Sequence, residues 1–173
     1  LKMYRRAFPG LFKDFERMPA GLKAHIRYPN GLFSVQADLY LRYHITDPQV
    51  FFNQAEEWAI PQDSRFGRRG VEVHPSYLIL QMPGGEREEY VLMLPFSPAG
   101  DKKNLVGWLT ARNDGVHYGK LNAFTVPSDP QVDGPSQVEA RIENDQIISQ
   151  QFTLWGGEGP GSRIVRGQLL VIP

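Results

Sequence analysis

The sequence contains no cysteine among its 173 residues. This absence excludes disulfide bonds, zinc sites with thiolate ligands, iron–sulfur clusters and cysteine nucleophiles. Long apolar runs are also missing, because the longest, at 90–96 and 169–173, fall far short of the roughly 18 to 20 residues that cross a bilayer. Neither sign of charge is in excess, since 19 basic and 19 acidic side chains cancel. Nucleic acid and anionic membrane surfaces are therefore not favoured as partners.

Length and composition are those of one globular domain. The chain falls within the roughly 100 to 200 residues typical of a single domain, and 41% hydrophobic against 22% charged residues is an ordinary globular balance. The sequence begins at Leu1 without an initiator methionine and ends on the apolar segment 169–173. We therefore expect residues 1–173 to form a single soluble domain of a longer protein.

The first third of the sequence predicts short helices separated by prolines. Their predicted starts are Pro9, Pro19, Leu32 and Pro48. The third helix, 32–43, is indicated most strongly because apolar residues recur at spacings of three and four. The fourth is capped by Asp47 and is predicted to carry apolar residues on one face as far as Trp58.

The remainder predicts a mainly antiparallel sheet of about five strands, so the expected fold class is α+β with the N-terminal helices packed on the sheet. Four successive strands are predicted at 77–82, 90–94, 105–111 and 120–126. Turn residues between them, such as Pro-Gly-Gly at 83–85, are typical of a meander. Helices at 137–142 and 145–155 are predicted before a last strand at 163–172.

The strongest metal candidate in the sequence is the segment 129–134. Asp129 and Asp133 stand at the first and fifth positions of a calcium-loop pattern, with Gly134 at the sixth. The twelfth position is Ala140 where a bidentate glutamate belongs, so a turn leading into the next helix is the alternative interpretation. The glycine-rich segment 156–162 leaves a helix and enters a strand, which is the reverse of a phosphate loop and indicates a connector. No cofactor is predicted.

Candidate binding residues lie on the last predicted helix. Gln150 and Gln151 place two amides beside the indole of Trp155, a combination that suits a polar polymer or a protein partner. Arg112 and Arg141 are further binding candidates, and we expect them to pair at the surface with Glu139 and Glu143. Packing in the core is the alternative for the aromatic side chain.

A second candidate pair is His44 with Asp47, at the end of the third predicted helix. A carboxylate at this place could orient the imidazole ring, although a structural role at the helix terminus is the favoured interpretation. No catalytic residue is predicted, because the sequence contains neither Gly-x-Ser-x-Gly nor His-Glu-x-x-His.

Several strings of the sequence are similar to one known family. They include Ala-Phe-Pro-Gly-Leu-Phe at 7–12, Tyr-His-Ile-Thr-Asp-Pro-Gln-Val-Phe at 43–51, Leu-Met-Leu-Pro-Phe at 92–96 and Arg-Gly-Gln-Leu-Leu-Val-Ile-Pro at 166–173. In these strings the chain resembles uncharacterised protein family 0182, large multi-pass membrane proteins of bacteria and cyanobacteria. The resemblance implies a multi-pass region followed by a large soluble part on the extracytoplasmic side. It implies no activity, and the membrane region of that pattern is not in this sequence.

These observations favour a non-enzymatic binding or interaction domain of a membrane protein. The alternative is an extracytoplasmic hydrolase or ligand-processing domain with a dispersed site. Expected partners are proteins or the rest of the parent membrane protein, with membrane contact only through other segments. A pocket that gathers His44, Asp47, Arg112, Arg141 and Glu139 would favour the enzyme, whereas a flat apolar patch would favour the interaction domain.

Overall fold

The computed structural model describes residues 2–65, 68–156 and 164–172, with the backbone alone at 64, 65, 68 and 69. The helices are α1 (Lys2–Ala7), α2 (Ala20–Lys23), α3 (Asn30–Tyr43), α4 (Pro48–Phe52), α5 (Pro135–Asn144) and α6 (Gln146–Trp155). The strands are β1 (Trp58–Ala59), β2 (Gln62–Arg65), β3 (Arg68–Glu72), β4 (Ser76–Gln81), β5 (Glu88–Pro98), β6 (Gly107–Arg112) and β7 (Leu121–Thr125). Short 3-10 turns occupy Phe15–Arg17 and Gly115–His117.

Five of the strands form an antiparallel sheet with β5 at its centre. One side of β5 pairs with β4 and, at its end, with β1, while the other side pairs with β6, which pairs in turn with β7. Strands β2 and β3 form a separate antiparallel hairpin. The α+β class and the mainly antiparallel five-stranded sheet are thus confirmed, as are the four successive strands of the meander. The sequence did not predict β1 or the β2–β3 hairpin.

The core lies between the sheet and α3. Leu92, Leu94 and Phe96 alternate along β5 on the face that meets the helix, and each is at most 1% exposed. From α3, Phe33 and Ala37 enter the same cluster and are fully buried. The predicted third helix is confirmed, and its packing on the sheet fixes the place of the N-terminal region.

A cluster of tyrosines attaches the segment before α3 to the sheet. The hydroxyl of Tyr77 donates to the carbonyl oxygen of Tyr28 at 2.5 Å, and the guanidinium of Arg27 lies 4.5 Å above the ring of Tyr90. Tyr77 and Tyr90 stack with centroids 5.7 Å apart. Burial raises the pKa of the Tyr77 hydroxyl, as do its neighbours Tyr90 and Tyr118, so this group remains a hydrogen-bond donor.

The helix predicted from Pro9 is wrong, because the helix at this end is α1 and it finishes at Ala7. Residues 9–14 form turns and irregular backbone. The side chains of Phe8, Leu11 and Phe15 are 55%, 74% and 55% exposed, so little packing supports a helix here, and short helices need such packing. The second predicted helix is confirmed as α2.

The fourth helix starts as predicted but ends early. Asp47 caps it and Pro48 is its first residue, yet it stops at Phe52, and Trp58 pairs with Pro98 as part of β1. Gln54 and Glu56 adopt left-handed backbone conformations with φ of 54° and 63°. These torsions cannot continue a right-handed helix.

The predicted last strand is not formed in the described residues 164–172, which have no regular secondary structure. Side chains make the contacts of this segment that are described: Gln168 donates to the carbonyl oxygen of His74 at 2.6 Å, and Arg166 pairs with carboxylates of α5. The apolar composition of this run is typical of a strand. The described residues 164–172 nevertheless form no strand, and their described polar contacts come from side chains. Arg163 and the glycine-rich residues 157–162 lie outside the described residues.

Candidate functional site

The outer face of α3 carries an exposed apolar stripe. The stripe consists of Leu32, Val35, Leu39 and Tyr43, which are 49%, 57%, 54% and 67% exposed. Their spacing of three and four places them on one side of the helix. An outer helix face is ordinarily polar, and clustered exposed apolar side chains mark a contact surface. Helix α3 is therefore apolar on two sides, one of which is already buried against the sheet.

The apolar stripe continues onto α4. The ring of Tyr43 meets that of Phe51 with centroids 5.7 Å apart, and the guanidinium of Arg42 lies 5.7 Å from the same ring. Phe52, the last residue of α4, is 86% exposed. The two helices thus present a joint apolar surface.

A cleft of about 1170 Å³, called the polar cleft after its charged and amide side chains, opens where three segments meet, 54–58, 98–106 and 128–137. Apolar surface is added to its lining by Trp58, Pro98, Ala99 and Val106. Backbone contacts hold these walls together: the amide of Ala99 donates to the carbonyl oxygen of Glu57 at 2.8 Å, and that of Leu105 to Val132 at 2.9 Å. At Gly134 a Cβ atom would lie 2.0 Å from the carbonyl oxygen of Lys103, so only glycine permits this approach. The three loops therefore form the cleft through defined backbone contacts.

The three predicted binding residues of α6 differ in their exposure. Gln150 and Trp155 are exposed and Gln151 is half-buried, and the exposed Ile147 and Leu154 lie among them at helical spacing. Consecutive helical residues point about 100° apart, so Gln150 and Gln151 face different directions, and Gln151 lies one turn before Trp155. None of the three residues lines the polar cleft.

Arg112 is engaged in a structural ion pair. Its Nε donates to Oε2 of Glu89 at 2.6 Å, and a second hydrogen bond joins Nη2 to Oε1, with the two side chains only 17% and 9% exposed. The hydrogen bonds from Arg112 hold the pKa of the Glu89 carboxyl below its usual value, with smaller lowering contributions from His117 and Arg87 and a smaller opposing one from burial. Such a bidentate pair fixes geometry at the end of β6.

Arg141 and the proposed calcium ligands meet at the start of α5. The guanidinium of Arg141 lies 2.6 Å from Oδ2 of Asp133, so one of the two candidate ligands faces a cation of the protein. Asp129 precedes Pro130 through a cis peptide bond, and the turn leads into α5, where the amide of Gly134 donates to the side chain of Gln137 at 3.0 Å. Within the described ranges there is no group of three His, Asp or Glu side chains that could hold a metal ion.

His44 and Asp47 each have a different structural partner. Nδ1 of His44 lies 2.9 Å from the carbonyl oxygen of Tyr40, and its ring stacks on Trp58 with centroids 3.8 Å apart. Oδ1 of Asp47 accepts the amides of Gln49 and Val50 at 2.7 and 3.1 Å, which caps α4. In the described contacts the carboxylate holds a helix end, and the imidazole packs at a helix terminus.

The partner of Glu139 and Glu143 differs from the prediction. Both carboxylates pair with Arg166, at 3.3 and 3.0 Å, where Arg112 and Arg141 had been expected. The contact borders a cavity of about 190 Å³ that Asp63 and Gln168 also line. Sequence spacing could not reveal this pairing, because Arg166 comes from the irregular segment after α6.

Comparison with known proteins identifies the family. The model of the uncharacterised protein family UPF0182 matches residues 1–155. The chain belongs to this family. UPF0182 proteins of Geobacter sp. (strain M21) and Geobacter sulfurreducens are each 49% identical to it over 173 residues, which is 100% of this chain and 18% of the relative. One of Pelotomaculum thermopropionicum is 46% identical over 170 residues, 98% of this chain and 18% of the relative.

The recognition of the family from its sequence strings is confirmed, as is its occurrence in bacteria. No solved structure matches this UPF0182 chain. The chain spans about 18% of the length of the relatives it matches. Among its described residues, each helix is too short or too polar to cross a membrane.

Two features of this UPF0182 chain escaped sequence reasoning. The apolar stripe had a signal, because Leu32, Val35, Leu39 and Tyr43 recur at helical spacing beside the separate core face of Phe33. The polar cleft had none, since its walls come from three loops whose approach depends on tertiary contacts.

Proposed function

We propose that this UPF0182 region is a non-enzymatic interaction domain whose apolar stripe binds an apolar surface of the remainder of a longer polypeptide. The observation that carries the proposal is the row of half-exposed apolar side chains on α3, continued by α4. The relatives are more than five times as long as the chain, because it covers only 18% of each. Most of such a polypeptide is therefore available as an intramolecular partner.

The magnitude of the available burial favours a tethered partner. Full burial of one large apolar side chain stabilises by about 1.5 to 3 kcal/mol, and the four stripe residues are already about half covered. Their further burial is worth at most about 3 to 6 kcal/mol, which corresponds to dissociation constants between several millimolar and tens of micromolar. A separate protein would bind weakly, whereas a segment of the same chain acts at an effective concentration of about millimolar.

The contacts of the predicted polar binding residues also favour an interaction domain over an enzyme. Arg112, Arg141 and Asp47 each hold another part of the fold, through Glu89, Asp133 and the amides of α4. Glu139 pairs with Arg166. Neither the polar cleft nor the cavity beside Arg166 is lined by His44, Asp47, Arg112 or Arg141. The contact surface, and not a gathered set of reactive groups, is the feature that the geometry favours.

Photo-cross-linking in a full-length relative tests this function. A benzophenone side chain at the position that aligns with Leu39, in the UPF0182 protein of Geobacter sulfurreducens, is expected to cross-link to a peptide outside the region that aligns with this chain. The same probe at the position of Asp38 is the control, because Asp38 is an exposed neighbour on the polar side of α3. Peptide mass spectrometry identifies the linked segments.

Three results would contradict the proposal. These are cross-links from the Leu39 position to a second copy of the protein, cross-links to a different protein, and equal yields of the same products from the Leu39 and Asp38 positions. The last result would mean that the stripe remains in solvent in the full-length protein.

We also propose that the full-length protein resides in the cell membrane with this domain, residues 1–173, on the extracytoplasmic side. The support is the family resemblance of the sequence. Alkaline phosphatase fused after the aligned region of a full-length relative is expected to be active, because this enzyme requires export. A β-galactosidase fusion at the same position should be inactive, and the opposite pair of results would place the region in the cytoplasm.

A further inference from the structure

We infer that the polar cleft between segments 54–58, 98–106 and 128–137 is a binding site for a neutral oligosaccharide. The cleft is separate from the apolar stripe, and nothing in the proposed interaction function requires it. Its size, its lining and the rigidity of its walls each support the assignment.

The size of the cleft favours an oligomeric ligand. Sites for single small molecules measure about 300 to 1000 Å³, and this cleft measures about 1170 Å³. One sugar ring would leave most of it filled with water. A chain of several rings can contact all three walls at once.

The lining combines hydrogen-bond donors and acceptors with little net charge. The amides of Gln54, Asn104, Gln131 and Gln137 lie around it together with the hydroxyl of Ser128. An amide group can both donate and accept hydrogen bonds, as can a hydroxyl, although Oε1 of Gln137 already accepts from the amide of Gly134. Sugar hydroxyls have the same double capacity, so they can satisfy this lining from any wall.

The charges of the cleft oppose both a strong anion and a strong cation as ligand. Glu56 and Asp101 are balanced by Lys102 and Lys103 within the same lining. The fifth charged residue, Glu57, lies 2.8 Å from Nε of Arg42 and is thereby neutralised. An ion would meet repulsion as well as attraction, whereas a neutral polar ligand would meet carboxylates that accept and ammonium groups that donate.

The walls are pre-arranged for binding. Their backbones are joined at Glu57 to Ala99, at Leu105 to Val132 and by the close approach of Gly134 to Lys103. One wall also holds Gln54 and Glu56 in left-handed conformations, which are costly for non-glycine residues and occur preferentially at binding sites. A site whose walls are fixed loses less entropy when it binds.

Titration of the isotopically labelled chain, followed by amide NMR spectra, tests the inference. The probes are cellohexaose, maltohexaose and chitohexaose, with glucose as the single-ring comparison and the neutral peptide Ser-Gly-Ser-Gly-Ser-Gly as the peptide comparison. At least one hexasaccharide is expected to give saturable shifts confined to segments 54–58, 98–106 and 128–137. Glucose should require a much higher concentration, because it contacts one wall only.

Substitutions separate the cleft from the other amide-bearing surface. Gln54→Ala and Gln131→Ala are each expected to weaken binding of the active hexasaccharide about two- to tenfold, which is the loss of one ordinary hydrogen bond. The double variant Gln150→Ala/Gln151→Ala removes two amides from α6 and should leave binding unchanged. The inference is overturned if none of the three hexasaccharides shifts the cleft amides, if the peptide alone does so, or if only the α6 variant loses binding. The cross-linking result at Leu39 is independent of all these outcomes.

Discussion

Replacing Phe33 with alanine is expected to lower the free energy of unfolding by about 3 to 5 kcal/mol, the usual loss for a large aromatic side chain removed from a core. Phe33 is fully buried and belongs to the cluster in which α3 meets Leu92, Leu94 and Phe96 of β5. The change leaves a cavity where α3 packs on the sheet. Denaturation by urea, followed by tryptophan fluorescence, measures the loss.

Leu32→Ala is the matched control, since Leu32 is the adjacent residue and is 49% exposed on the apolar stripe. Its substitution should cost less than about 1 kcal/mol. Equal losses for the two variants would contradict the two-faced arrangement of α3. A large loss at Leu32 in a full-length relative, combined with a small loss in this chain, would instead agree with the proposed docking of the stripe.

The strands of the meander were predictable because their signals are local. Apolar runs such as 90–94 alternate with turns that contain glycine, and each turn returns the chain to the neighbouring strand. The intervals of six to eight residues between successive strands leave little choice of partner. Antiparallel pairing of β4 with β5, and of β6 with β7, follows from this spacing.

The ends of the helices were less predictable, because tertiary contacts decide them. The apolar period of α4 continues in the sequence to Trp58, yet the left-handed residues Gln54 and Glu56 turn the chain away. Trp58 then stacks on His44 and approaches Phe96, with centroids 3.8 and 5.5 Å apart. Packing of an indole between a helix terminus and the sheet outweighed local periodicity. The segment 164–172 shows the same effect, because side-chain contacts replace the strand.

Candidate site residues were predicted by chemical type, which indicates the interactions that a side chain can make but not the residue with which it pairs. Arg112 and Asp47 are polar groups of the kind found in active sites, but each stabilises a local element. The pairing of Arg112 with Glu89 joins residues 23 apart on two strands, so it depends on the register of β5 and β6. A single sequence contains no signal for the strand register that brings Arg112 to Glu89.

Replacing Arg112 with methionine is expected to lower the free energy of unfolding by about 2 to 3 kcal/mol at pH 7, because it leaves the carboxylate of Glu89 without its cation. Glu89 is 8% exposed, so water can replace the lost hydrogen bonds only in part. Methionine retains much of the aliphatic volume of arginine, and the measured loss therefore reports the ion pair and not a cavity. Urea denaturation at a series of pH values gives the measurement.

The difference in the free energy of unfolding between the Arg112→Met variant and the unsubstituted protein should shrink in acid. The hydrogen bonds from Arg112 lower the folded pKa of Glu89 below the value of about 4.3 that glutamate has in an unfolded chain. Between these two pKa values the unfolded chain binds more protons, so the free energy of unfolding falls as the pH falls. The contribution of the pair is fully present above pH about 5 and is lost as the pH passes below the folded pKa.

The exposed pair of Arg5 with Asp14 supplies the control for this effect. Its atoms are 2.6 Å apart, but the side chains are 61% and 70% exposed, so Arg5→Met should change the free energy of unfolding by less than about 1 kcal/mol. The greater burial of the Arg112 pair, and not its N–O distance, should therefore make Arg112→Met more costly than Arg5→Met. If Arg5→Met and Arg112→Met cost the same, or if the loss at Arg112 persists unchanged at pH 2, the bidentate pair does not stabilise the fold through its charge. Equal small losses would mean that the aliphatic part of Arg112, which methionine largely retains, carries the contact between β5 and β6.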